Sequence, residues 1–202
     1  MTDTFTTITG KSEGFYSEKR SKFFAFAHHV ETSDEIKALL AAYRKQYYDA
    51  RHVCYAYMLG AERTDYRAND DGEPSSTAGK PILGQINSHE LTDILVVVVR
   101  YYGGVNLGTS GLITAYRSAA SDAIAHATFE TRQVEEEVTF HYDYQLTNDV
   151  MRVVNELSPR IVAQSFADTC SITLAIRSSL VEQLRQRLRK LKERRGECGN
   201  SM

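Results

Sequence analysis

Cysteine is scarce and poorly placed for any chemistry that needs it in pairs. Cys54, Cys170 and Cys198 are three in number, far apart, and form no C-x-x-C pair. That spacing gives neither a disulfide framework nor a zinc site, and it fits a reducing cytoplasm. Long apolar runs are missing as well. The first residues, Met1-Thr-Asp-Thr-Phe-Thr-Thr-Ile8, are polar and lack the apolar stretch of an export signal. Nothing approaches the ~20 apolar residues that a membrane-spanning helix needs. Nor is there an excess of one charge. The net charge is −2, from 24 Lys and Arg against 26 Asp and Glu. This argues against a wholly basic nucleic-acid binder while leaving room for a local basic patch. The six histidines are scattered, with no HExxH and no H-x-E paired to a C-x-x-C. What remains, 42% hydrophobic and 25% charged over 202 residues, is an ordinary globular composition, enough for one large domain or two small ones.

The most informative stretch runs from Ile94 to Tyr116. Ile94-Leu-Val-Val-Val-Val99 is a continuous aliphatic run, the pattern of a strand buried on both faces. Gly103, Gly104, Gly108 and Gly111 follow, interleaved with Asn106, Thr109 and Ser110. Leu112, Ile113, Tyr116, Ala120, Ala123 and Ile124 then recur at helical spacing. Strand, glycine loop and helix in that order allow a sharp turn and present free amide donors that favour an anion. A tight turn serving only close packing is the competing reading. Arg100, just before the loop, adds a guanidinium suited to phosphate or carboxylate.

Elsewhere the pattern predicts strands over Thr4–Thr9, Phe15–Ser17, Lys22–Val30 and His52–Leu59. A helix is expected from an N-cap at Ser33 through Ile36, Leu39, Leu40, Tyr43 and Tyr47. Residues 60–79 have no period and are expected to form one long loop. Lys80-Pro81 opens another helix, with Pro81 suited to its first position. Thr131–Glu137 is polar and marks a break, placing a domain boundary near Gln133: residues 1–132 and 133–202. After it come an alternating strand (Val138, Phe140, Tyr142, Tyr144), a helix, two strands and a final helix. This β-α-β-β-α order suggests a small α+β sandwich with two helices on one face.

The segment Asn69-Asp-Asp-Gly-Glu-Pro-Ser-Ser-Thr-Ala-Gly-Lys-Pro81 is the second candidate. Asp70, Asp71 and Glu73 are dense enough to hold a hard cation such as Mg²⁺ or to receive basic side chains; Thr77 and Lys80 complete the candidate surface. The spacing is neither a Walker loop nor an EF-hand. A turn folded over the sheet by Asx and hydroxyl bonds is the plainer alternative for each acidic residue. No catalytic triad can be assembled. The last helix puts Leu180, Leu184, Leu188 and Leu191 on one stripe. Arg185, Arg187, Arg189, Lys190, Lys192 and Arg194 occupy the rest, a basic face that can track a nucleic-acid backbone or simply complement the helix dipole.

The two long motifs, Asp70 to Pro81 and Val98-Val-Arg-Tyr-Tyr-Gly-Gly-Val-Asn-Leu-Gly-Thr-Ser-Gly-Leu112, together resemble the YigZ/IMPACT family, and the β-α-β-β-α tail resembles the extra domain of its bacterial members. The resemblance implies an α+β protein of two domains. The first would have the second-domain fold of the small-subunit ribosomal protein S-five type, a sheet with helices on one face; the second would be ferredoxin-like. In tandem these resemble domains IV and V of elongation factor G, which points towards the ribosome or structured RNA. Eukaryotic relatives regulate translation, binding the ribosome and the activator of the amino-acid-starvation kinase. The resemblance therefore implies a cytoplasmic, non-enzymatic binding protein whose partner is ribosome, RNA or a translation factor, with no cofactor, no metal and no membrane. Its expected surface comprises Asp70, Asp71, Glu73, Thr77, Lys80, Arg100, Tyr101, Gly103, Gly104, Asn106, Gly108, Thr109 and Ser110. The alternative is a phosphate- or nucleotide-binding enzyme, because Asn106-Leu-Gly-Thr-Ser-Gly111 is similar to the phosphate loop of small-molecule kinases sharing this fold. Relatives often carry Lys at Asn106, Arg at Thr114 and Gly at Ser76 or Ser110. Loss of two cations weakens that alternative.

Overall fold

A computed structural model describes residues 3–167 and 169–198, with side chains of residues 194–198 left out of the account. The chain divides into two compact units. One is Phe5–Arg132, and the other joins the residues up to Thr4 to those from Gln133 onward.

The first unit is built on a five-stranded antiparallel sheet. Its strands are β2 (Lys11–Glu18), β3 (Ser21–His29), β4 (His52–Leu59), β5 (Asp65–Asn69) and β6 (Ile94–Tyr101), in the order β2-β3-β6-β4-β5. β6 lies at the centre, and Ile94 to Val99 are all 0% exposed. Full burial of an aliphatic side chain stabilises by roughly 1.5–3 kcal/mol, so these six supply roughly 10 kcal/mol or more before the entropy of ordering is subtracted. The pleat splits them. Ile94, Val96 and Val98 join Phe23, Ala25, Cys54, Ala56 and Met58 in a core with Ile82 of helix α2 (Gly79–Ser88) and Tyr116 of helix α3 (Gly108–Ala125). Leu95, Val97 and Val99 join Phe26, Tyr55, and Ile36 and Tyr43 of helix α1 (Ser33–Gln46) on the opposite side. Helices therefore cover both faces, not one. The reason is in β6 itself: a strand apolar at every position must be covered twice.

Several local expectations are refined. The α1 N-cap is Thr32, not Ser33, because only Thr32 stands three residues before Glu35 and closes a reciprocal capping box with it. α2 begins at Gly79, which puts Pro81 at its third residue. The expected long loop contains β5, which pairs with β4 from Tyr55↔Asn69 to Leu59↔Asp65. The polar stretch before the boundary is strand β7 (Thr128–Gln133), joined in a two-stranded sheet to β1 (Thr4–Thr9).

The second unit has three antiparallel strands, β8 (Glu135–Tyr142), β9 (Arg160–Phe166) and β10 (Cys170–Arg177), in the order β8-β10-β9. Val138, Tyr142, Ile172 and Leu174 share one core with Val150, Val153 and Val154 of α4 (Thr147–Leu157) and Leu184 and Leu188 of α5 (Ser178–Cys198). Both helices thus lie on the same sheet face. The alternation stops at Tyr142, since Tyr144 enters a 3₁₀ turn and is 72% exposed. Among the described residues no helix is long and apolar enough to cross a membrane.

Candidate functional site

The acidic segment is folded inward, and each carboxylate has its own partner. Asp70 Oδ1 accepts from the Ala78 and Gly79 amides at 3.0 and 2.8 Å, and Oδ2 from the Ser76 amide at 2.8 Å. It thereby satisfies donors at the start of α2, which no residue at the cap position does. Asp71 Oδ2 accepts from the Val53 amide at 2.7 Å, and Oδ1 receives Arg44 at 3.3 Å. Glu73 is buried. Thr77 is buried too, its hydroxyl donating to the Pro74 carbonyl at 2.7 Å. The three carboxylates do not converge, and among the described residues no group of three His, Cys, Asp or Glu is arranged to hold a metal ion. The alternative in which they hold Mg²⁺ gains no support from this arrangement: backbone amides and Arg44 engage Asp70 and Asp71, and Arg100 and Tyr116 engage Glu73 Oε1. Lys80 is exposed on α2 and lines a separate groove with Arg117 of α3.

Arg100 is the centre of the site. It leaves β6 on the α2/α3 side, buried to 5% exposure. Nη1 donates to Glu73 Oε1 at 2.5 Å, and the same oxygen accepts from the Tyr116 hydroxyl at 2.8 Å. The guanidinium lies 5.6 Å from the ring centroids of both Phe23 and Tyr102. Its Nε is buried with no acceptor. An arginine so held has its plane of donors fixed, yet is only partly satisfied.

Beside it, His52 Nδ1 is 2.7 Å from the Asp71 carbonyl, and Nε2 is 3.7 Å from Glu73. Cys54 lies deeper, its thiol against the Asp70 carbonyl and the Tyr116 hydroxyl. Burial pushes both the Cys54 thiol and the Tyr116 phenol well above their ordinary ranges, so both stay protonated at neutral pH. Neither is a ready nucleophile or base.

Outside this buried cluster is a cleft of about 350 Å³ lined by Arg51, His52, Arg100, Tyr102 and Asn106. Cross-strand register creates it. His52 of β4 stands opposite Arg100 of β6, so the residues opening β4 meet those closing β6. The Tyr102 hydroxyl donates to Asn106 Oδ1 at 3.2 Å, and the Tyr102 ring is 48% exposed. Among the described residues no carboxylate pairs with Arg51.

Not every expected residue joins the site. Tyr101 follows Arg100 in sequence but projects to the α1 face, where its hydroxyl donates to Asp49 at 2.8 Å and its pKa is pushed up to about 12 by desolvation and then by Asp49. Gly103 is needed for close approach: a Cβ there would sit 2.1 Å from the Arg20 carbonyl carbon, and its amide donates to Ser21 Oγ at 3.1 Å. That amide is therefore not free for a ligand. Gly104 (φ +83°) and Gly108 (φ +73°) turn the chain into α3, whose start has no side-chain cap, and Thr109 and Ser110 are exposed there. Arg51 and Tyr102 are not among the site residues expected from the sequence, and Tyr116 is expected there only on the apolar stripe of α3. The available signal is Arg51-His52 opening a strand and Tyr102 directly before the glycine loop.

On α5, Arg185, Arg189 and Lys190 are exposed, Arg187 is paired with Glu156, and Lys192 lies over the Phe140 ring at 5.0 Å. The side chain of Arg194 lies outside the described residues.

Residues 19–124, more than half of the chain, match the model of the Impact N-terminal domain. The chain belongs to the IMPACT family. The IMPACT family member YigZ of Escherichia coli (strain K12) is 30% identical over 172 residues, 84% of this chain and 84% of that protein. The IMPACT homolog of Saccharomyces cerevisiae is 29% identical over 120 residues, 57% of this chain and 45% of that protein. A crystal structure of a hypothetical protein, 27% identical, superposes with a TM-score of 0.74 over 96% of this chain and 95% of that one. The IMPACT match takes in Arg51, His52, Glu73, Arg100, Tyr102, Asn106 and Tyr116, so the whole cleft lies inside the family's domain.

Proposed function

We propose that this IMPACT-family chain is a cytoplasmic, non-catalytic binding protein of the translation apparatus. Its first unit offers the cleft around Arg100, and its second offers the basic face of α5. The observation that carries this reading is the division of labour at the cleft. Cys54, Tyr116 and Glu73 are buried and linked by hydrogen bonds, whereas Arg51, Tyr102 and Asn106 face outward as recognition groups, with the half-buried His52 beside them held through Nδ1 at the Asp71 carbonyl. The kinship of the family to eukaryotic translation regulators supports the choice of partner. The β-α-β-β-α order with β10 in the middle supports reading the second unit as ferredoxin-like.

Co-sedimentation of the full chain with ribosomes across salt concentrations tests the proposal. Association at low salt, weakened in the variant Arg185→Ala with Arg189→Ala, is the expected result. No association at low salt would remove the reading. The phosphate-enzyme alternative is weakened by the dispersal of Asp70, Asp71 and Glu73 among internal donors, although the cleft retains the cations such an enzyme would need to hold its substrate.

A further inference from the structure

We infer that the cleft lined by Arg51, His52, Arg100, Tyr102 and Asn106 is a nucleotide site, taking the phosphate against the two arginines and the base against the Tyr102 ring. The inference rests on the binding role proposed above and names what the first unit would bind.

The case for phosphate begins with charge. Glu73 and Arg100 neutralise each other at 2.5 Å, both side chains buried to 7% exposure or less. That leaves Arg51 as a cation with no carboxylate paired to it among the described residues. Asp71, whose backbone carbonyl meets His52, already spends its carboxylate on Val53 and Arg44. The cleft is therefore net positive. Next comes an unmet donor: Arg100 is nine-tenths buried and lines the cleft, yet its Nε has no acceptor. A buried donor left unmet destabilises the protein, and among the described residues no protein group supplies the missing acceptor. The third element is α3, an 18-residue helix that starts two positions after Asn106 and has no side-chain cap. A helix start of this kind carries partial positive charge that favours an anion in its neighbourhood.

The case for a base rests on Tyr102. Its ring is 48% exposed, with the Arg100 guanidinium 5.6 Å from its centroid and its hydroxyl tied to Asn106. An exposed aromatic held in place beside a phosphate-binding arginine is a platform on which a nucleobase stacks with little sequence preference. A cavity of about 350 Å³ lies within the range of small-molecule sites. A single nucleotide unit, free or within an RNA strand, carries both a phosphate and a base.

Isothermal titration calorimetry of the full chain tests this with three probes: inorganic phosphate, uridine 5′-monophosphate and a ribouridine octamer. The monophosphate is expected to bind about fivefold or more tightly than inorganic phosphate, the increment expected of base stacking. Arg51→Ala is expected to weaken all three. Tyr102→Ala should reduce the monophosphate to the level of phosphate, whereas Tyr102→Phe, which keeps the ring, should retain its advantage. Both positions are solvent-facing, and a thermal melt confirms that each variant is folded. Tighter binding of the octamer than of the monophosphate identifies an RNA strand as the source; equal binding identifies a free nucleotide; either supports the site. Equal affinity for phosphate and monophosphate, or no effect of Tyr102→Ala, overturns the inference. Ribosome association that survives loss of nucleotide binding leaves the broader reading intact, and nucleotide binding without ribosome association leaves the site intact.

Discussion

Arg100 and Glu73, 27 positions apart, meet through a 2.5 Å contact between Nη1 and Oε1 with both side chains withdrawn from solvent. This pair ties the acidic segment to the central strand, and the Tyr116 hydroxyl ties both to α3. Removing one partner strands the other's charge. Glu73→Ala is expected to cost ~3–5 kcal/mol in urea denaturation, whereas Glu73→Leu combined with Arg100→Met should cost far less than the sum of the single changes. Additive costs would mean that the pair is not a coupled buried unit.

The glycine loop separates close approach from backbone conformation. Gly103→Ala drives a methyl group into the Arg20–Ser21 backbone, which cannot move aside as a flexible side chain can. A destabilisation of ~3 kcal/mol or more is expected, at the top of the overpacking range. Gly104→Ala meets nothing within 4 Å and bears only the strain of its positive φ, ~1–2 kcal/mol. Thermal melts of the two variants should rank in that order.

Asp70 is a cap supplied from outside the helix it serves. Asp70→Ala leaves three amide donors without their acceptor and is expected to cost about 2 kcal/mol or more. Because its oxygens are already engaged, millimolar magnesium should leave the melting temperature of the unaltered chain where it is. A rise of several degrees would restore the cation reading of this segment.

Acid should destabilise the first unit through His28. Its ring nitrogen Nε2 is 2.6 Å from the Tyr43 hydroxyl, and desolvation first, then Lys11, lowers its pKa below the ordinary 6.5, with Glu13 opposing. The unfolded chain then binds this proton more readily than the folded one. Stability is full above the unfolded pKa and is lost as pH falls from about 6.5 through the lowered folded value. Urea midpoints between pH 8 and pH 5 should fall, and His28→Gln should remove part of that slope. An unchanged slope would shift the cause to another group.

Much of the fold was legible because the strongest signals are local. The run Ile94–Val99 announced a strand covered on both sides, and the periodicity of Ile36 to Tyr47 announced α1. β5 and β7 were missed because they are short, largely polar edge segments with no apolar face of their own. Thr32-x-x-Glu35 carries the capping box in plain view, but Ser33 beside it offered an equally good hydroxyl until the reciprocal bonds chose between them.

The site divides differently. By itself the sequence determined that Arg100 would close a buried strand, that glycines would turn the chain into α3, and that carboxylates would crowd the preceding segment. Each of these depends only on neighbours along the chain. Tertiary structure alone decided which of those groups face one another. The pleat sends Tyr101 away from Arg100, the β4–β6 register brings His52 opposite it, and closure over 27 and 43 positions joins Arg100 and Tyr116 to Glu73. A charge read in sequence has no partner until distant segments pack, and packing is what turned three carboxylates into internal acceptors while leaving Arg51 and Tyr102 facing a cleft.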